Sequence, residues 1–163
     1  MKKFFFGFST CFIMIVLSVL VYVGHLLYEA RSGLYISPGH PEFSAPEKSK
    51  IVGSLIKLGD LSNLINLEKY SALFLGSAGA IETNPIEANY HFNKAILLSK
   101  SYGEKKSNFD PYLEMQFTYA SYLMDHGEVI LAKQVAAEAL AFASAKALQG
   151  NWVGNLERLN QKL

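Results

Sequence analysis

A single cysteine, Cys11, stands among 163 residues, which excludes an intrachain disulfide framework and a cysteine-based zinc site. Charge of one sign is also missing: 15 Lys and Arg against 14 Asp and Glu leave a formal +1. Neither a basic surface for nucleic acid nor an acidic, solvated tail can be built from that balance. No alternating run of β-branched residues reaches useful length, and Ala, Leu, Glu and Lys dominate the second half of the chain, so strand signals are poor and the folded part is expected to be all-α. Catalytic patterns are absent too. No serine sits in a Gly-x-Ser-x-Gly elbow, and no Gly-rich phosphate loop follows a strand. Glu87 and His91 share a helix face, but no second histidine or third ligand stands at a recognisable spacing, so an exposed ion pair is the expectation there. A protein that is not an enzyme, with no cofactor and no metal, is the expectation.

What the sequence does have is a long apolar run. Residues 4–27 (FFFGFSTCFIMIVLSVLVYVGHLL) carry no acidic or permanently basic group, and a helix of that length rises about 36 Å, enough to cross a bilayer with some tilt. The run exceeds a signal-peptide core of about 7–15 residues, and Tyr22 and Tyr28 stand where a cleavage site wants small residues. Retention as a transmembrane anchor is expected over cleavage. Lys2 and Lys3 precede the run, so the positive-inside rule puts the amino terminus in the cytoplasm and the rest outside. The expectation is a single-pass protein of a bacterial inner membrane with a periplasmic carboxy-terminal domain. His25, near the end of the run, is expected to be solvated among headgroups rather than to relay protons.

From 32 to 45 the run SGLYISPGHPEFSA holds Gly33, Pro38, Gly39 and Pro41, which forbids a continuous helix and predicts a stalk. The chain thus divides into a terminus and anchor at 1–31, a Pro/Gly linker at 32–45 and a helical domain at 46–163. Within the domain, Ser44-Ala45-Pro46-Glu47 reads as a capping box for a helix ending near Gly59, and Asp60 as the cap of a helix over 61–82. Asn84-Pro85-Ile86-Glu87 opens a third helix to about Lys100, after which the polar stretch SYGEKKSN intervenes. Asp110-Pro111 opens a fourth that ends near His126. Gly127 turns the chain, a fifth spans about 128–149, and Asn151 caps a last helix with Trp152, Leu156, Leu159 and Leu163 on one face.

Two of the helical hairpins carry the same internal code. Leu75-Gly76 in one helix is followed by Ala88, Phe92 and Ala95 in the next, while Ala120 is followed by Ala132, Ala136 and Ala139 at the same spacings, with Gly127 at the turn. This pattern resembles the tetratricopeptide repeat, whose small residues let paired helices lie close while a large one fills the gap. It departs from that family in having Ala72 and Gln116 at the early tryptophan position, Ala136 for a large aromatic, and no closing proline. Gly76 and Ala120 are also 44 residues apart, about ten more than the period of about 34. The overall layout resembles membrane-anchored periplasmic accessory subunits built on such repeats, including the ancillary subunit of the bacterial Sec translocon.

The resemblance implies a concave groove, lined by the first helix of each hairpin, that holds a segment of another protein. The positions that map to it are Tyr70, Phe74, Ser77 and Ile81 in the first hairpin, then Glu114, Phe117, Ser121 and Met124 in the second. Aromatic and methionine side chains there would be the anchors. The alternative reading makes the same residues core, covered by the helix that begins at Pro46. Trp152 is expected to pack a terminal capping helix. The implied function is an adaptor for assembly, secretion or chaperone recruitment at the cell envelope, with protein partners in the groove and the membrane at 4–27. The alternative function is a structural subunit built permanently into a larger membrane complex.

Overall fold

The computed structural model describes the backbone of residues 2–34 and 43–163, with side chains described from residue 14 onward. Among the described residues there are seven helices and no strand: α1 (Lys2–Ala30), α2 (Ala45–Leu64), α3 (Glu68–Ile81), α4 (Pro85–Lys106), α5 (Asp110–Asp125), α6 (Val129–Ala145) and α7 (Asn151–Lys162). The centre of the expected stalk, 35–42, lies outside the described residues, as do the side chains of the apolar run up to residue 13, Cys11 included.

Several helix starts fall where local chemistry predicts them. The Ser44 amide donates to Glu47 Oε2 at 2.9 Å, the reaching-back half of a capping box. The Asn84 side chain accepts from the Ile86 amide at 3.0 Å beside a first-turn proline, and Asn108 Oδ1 accepts from the Asp110 amide at 3.1 Å. The helix ends differ more. α2 does not stop at Gly59 but continues through Asp60 to Leu64, and the expected 61–82 helix begins only at Glu68. Gly59 is there for close approach rather than termination. Ser71 Oγ on α3 donates to the Gly59 carbonyl at 2.8 Å, and a Cβ on Gly59 would lie 2.8 Å from Leu75 Cγ. Asp60, instead of capping, pairs with Lys94 of α4 at 2.9 Å.

The polar stretch after Lys100 is likewise helical, and α4 runs to Lys106. Gly103 is buried against the Phe109 ring. Lys105 forms an ion pair with Glu68, and two lysines in the last turn suit the negative end of the helix dipole.

Three of the turns close in one way. After α2, Asn66 (φ 59°) donates to the Asn63 carbonyl at 3.1 Å and Leu67 to that of Ser62 at 2.8 Å. After α5, Gly127 (φ 81°) and Glu128 do the same to Met124 and Leu123, and after α6, Ala147 (φ 52°) and Leu148 to Ser144 and Ala143. Each is a Schellman closure, which satisfies orphan carbonyls with one left-handed residue. Gly127 announces itself and Asn66 does so more weakly, whereas Ala147 does not, which is why α6 ends at Ala145 rather than near 149.

Packing centres on α3, which touches α2, α4 and α5; α5 in turn touches α4, α6 and α7, and α6 touches α7. The repeated code is core: Leu75, Ala88, Phe92, Ala95, Ala120, Ala132, Ala136 and Ala139 are all buried. One core joins α4 to α7 around Phe92, Leu113 and Leu156. A second joins α1, α2 and α3 around Leu55, Phe74 and Ile81, and Ala72, Leu75, Ala95 and Met115 bridge the two. Each fully buried leucine or phenylalanine contributes about 1.5–3 kcal/mol. This all-helical arrangement is compatible with a helical-repeat fold.

The expected anchor is corrected. Among the described residues no helix is long and apolar enough to cross a membrane, which overturns the transmembrane helix at 4–27, the membrane contact assigned to it, and the single-pass inner-membrane placement with a periplasmic domain. The apolar residues closing that run have another use. Leu26 and Ala30 are 2% and 0% exposed, packed with Val23 against Ile51, Val52 and Leu55. His25 Nε2 lies 3.1 Å from Glu29 Oε1 rather than standing alone. Glu29 also pairs with Lys50 at 2.9 Å and accepts from Ser54 Oγ at 2.7 Å. The Ser54 and Lys50 hydrogen bonds hold its carboxyl below the usual range.

Two glycines of α2 separate close approach from helix propensity. A Cβ on Gly53 meets nothing within 4 Å, so Gly53→Ala is expected to raise stability by about 0.5–1 kcal/mol. Gly59→Ala, which drives a Cβ into Leu75, is expected to lower it by about 1–2 kcal/mol after the propensity gain. Urea denaturation midpoints of the two variants check both signs.

Candidate functional site

The eight groove positions separate by exposure. Phe74 and Ile81 are 9% and 6% exposed and point into the core shared with α1 and α2. Phe117 rests on Trp152 with ring centroids 5.7 Å apart and so helps to seat α7 on α5, and Met124 packs partly buried on the core that joins α4 to α7. Ser77, Glu114 and Ser121 are half-buried. Tyr70 is 51% exposed.

Tyr70 and Glu114 are brought together across α3 and α5. They line a recess of about 150 Å³ whose other walls are Ala72, Leu73, Pro111 and Met115, with Lys69 at the rim. Tyr70 also lines a second recess of about 300 Å³ between α1, α2 and α3, formed by Val23, Leu27, Leu61, Ile65, Leu67 and Phe74 among others. Ser62 is its one side chain with a polar group besides the Tyr70 hydroxyl. Leu64, Ile65 and Leu67 beside it are 79%, 64% and 44% exposed, an apolar patch at a helix turn rather than scattered single residues.

The local fold explains this placement. The closure at Asn66 ends α2, turns Leu67 out, and puts Tyr70 in the first turn of α3, where it faces α1 on one side and α5 on the other. Leu61, Ile65 and Leu67 are therefore site residues that the sequence reading missed, because it ran one helix through them. The signal was Asn66 itself, the residue type that most often substitutes for glycine in a left-handed cap.

The Glu114 carboxylate is the one acidic group of the first recess. Burial pushes its pKa up, opposed by Lys69 and reinforced by Asp110. Among the described residues no hydrogen bond or ion pair reaches its carboxylate. Nearby Glu68, by contrast, is held by Lys105. The recess thus combines apolar walls, an aromatic ring and an unpaired negative charge.

His91 departs from the expected exposed ion pair with Glu87. It is 5% exposed and its Nδ1 has no hydrogen-bond partner, while Glu87 lies in solvent. Burial lowers its pKa, against the pull of Glu87, Glu82 and Asp60 and with the push of Lys94. Among the described residues no three His, Cys, Asp or Glu side chains converge as a metal site would require. α1 leaves Met14, Ile15, Leu17, Leu20, Val21 and Tyr22 between 47% and 73% exposed.

The chain matches no protein-family model, and no curated protein or solved structure is significantly similar to it.

Two pH dependences follow. The raised Glu114 pKa means that the native state pays for the ionised form above the ordinary value of 4.5. Glu114→Gln is therefore expected to be more stable than the wild type at pH 7, and the gap to close as pH falls through the folded pKa towards 4.5. For His91 the native state prefers the neutral ring, so its contribution is complete above the ordinary value of 6.5 and is lost as pH falls below it towards the folded pKa. His91→Leu should flatten that limb of the stability–pH curve. Urea titrations between pH 4 and 8 measure both effects.

Proposed function

We propose that this chain is a tetratricopeptide-like helical-repeat adaptor, a non-catalytic protein that holds a segment of another protein across its α1–α3 and α3–α5 surfaces, in an assembly or recruitment task. The observation that carries the reading is Tyr70, half-exposed and shared by two adjoining recesses, one lined almost wholly by apolar side chains. An exposed aromatic between recesses is the kind of residue that dominates binding energy at interfaces. Of the groove inferred from the repeat pattern, the part that remains open is the Tyr70–Glu114 end; Phe74 and Ile81 are occupied by the protein's own helices.

A second reading is favoured by α1. Its row of exposed apolar side chains from Met14 to Tyr22 suits a structural subunit built permanently into a larger assembly, since contiguous apolar surface of this extent marks an interaction face.

A pull-down of the tagged full-length chain in mild detergent, run beside Tyr70→Glu and Ile130→Glu, separates the two. Ile130 is 88% exposed and lines neither recess. Under the adaptor reading, Tyr70→Glu loses a defined partner that Ile130→Glu retains, with helicity by circular dichroism unchanged in both. Partners kept by both variants and lost on removing residues 1–22 support the structural subunit. Phe117→Glu would be a poor substitute, because the Phe117 ring helps to hold Trp152 and α7.

A further inference from the structure

Resting on the adaptor reading, we infer that the α3–α5 recess takes the cationic side chain of a lysine or arginine in the bound segment, with a large apolar residue two positions away seated in the adjoining α1–α2–α3 recess. Glu114 sits half-buried with no hydrogen bond or ion pair among the described residues. Three other acidic groups are answered, Asp60 by Lys94, Glu68 by Lys105 and Glu29 by Lys50, while Asp110, whose charge acts on Glu114, adds a second negative group with no ion pair among the described residues. A half-buried, unanswered carboxylate costs stability unless something pairs with it.

The walls favour a long aliphatic stem carrying a charge at its end. Leu73, Pro111 and Met115 give an apolar sleeve, and the Tyr70 ring stands at the mouth. Lysine and arginine bury their methylenes along apolar surface while placing the charge on an acceptor, and an aromatic face beside the cation adds to the attraction. The recess of about 150 Å³ suits one such side chain rather than a folded element. Lys69 at the rim is exposed and makes no ion pair with Glu114, so it leaves the carboxylate free while disfavouring a segment with several cations. Because Tyr70 walls both recesses, residues two apart in one extended segment, whose side chains project to the same side, can enter them together. The occupant is thus a protein segment with one basic residue two positions from a large apolar one.

Selection of random twelve-residue peptides displayed on phage, using the purified full-length chain as bait, tests this. Recovered peptides are synthesised with a fluorescein label and titrated against wild type, Glu114→Gln and Tyr70→Glu. The expected result is a shared Lys or Arg two positions from Leu, Ile, Phe or Tyr, with affinity falling about 10- to 100-fold in Glu114→Gln, the weight of a charge-assisted pair. Replacing the peptide's basic residue by Gln should cost the wild type as much and the Glu114→Gln variant nothing further. Peptides that lose binding to Tyr70→Glu but bind Glu114→Gln like wild type, or that share no basic residue, overturn the inference and leave the groove reading standing. Peptides indifferent to Tyr70→Glu, or no recovered peptides, remove the groove reading and the inference with it.

Discussion

Close approach of α3 to three neighbours is the constraint on which the other helices depend. It is met with small residues on every side. Gly59 of α2 accepts the Ser71 hydroxyl and lies against Leu75, Gly76 lies under the Met115 thioether of α5, and Gly79 faces the Phe92 ring of α4. Any larger residue at these places would hold the helices apart and open voids around Leu75 and Phe92, both now fully enclosed. With α3 fixed, α4 and α5 acquire their seats, α5 carries α6 and α7, and α2 brings the end of α1 into the core.

The same constraint sets the site. Bringing α3 next to α5 places Tyr70 opposite Glu114, and bringing α2 next to α3 places Leu61 and Ile65 beside Tyr70 and Phe74. The accessible surface is therefore what remains after the core has taken its share of the α3 face. Phe74, one turn further along the same face, and Ile81, about three turns along, go inward because α2 covers them.

Legibility in the sequence follows the same division. The shared code of small residues in the two hairpins was readable because packing at such positions tolerates little besides glycine and alanine, and those residues are buried as the spacing implies. Helix starts at Ser44, Asn84 and Asp110 were readable because the hydrogen bonds that mark them are local. Glycine was ambiguous: Gly127 is a turn, whereas Gly59 and Gly103 are helical and serve neighbours distant in sequence. Left-handed caps at Asn66, Ser107 and Ala147 carry no glycine at all, and the boundary errors cluster around them. The apolar run misled because hydrophobicity does not say what a side chain faces, and Leu26 near its end faces protein. Of the site, Tyr70 and Glu114 were legible; the second recess was not, since it exists only through the turn at Asn66.

Three tight Schellman turns have a consequence for how the molecule assembles. Each joins consecutive helices across a few residues, and every helix pair in contact is adjacent in the chain or separated by one helix. Loop closure therefore costs little entropy at any step, and the sequence separation of contacts stays low, the regime in which small domains fold fast.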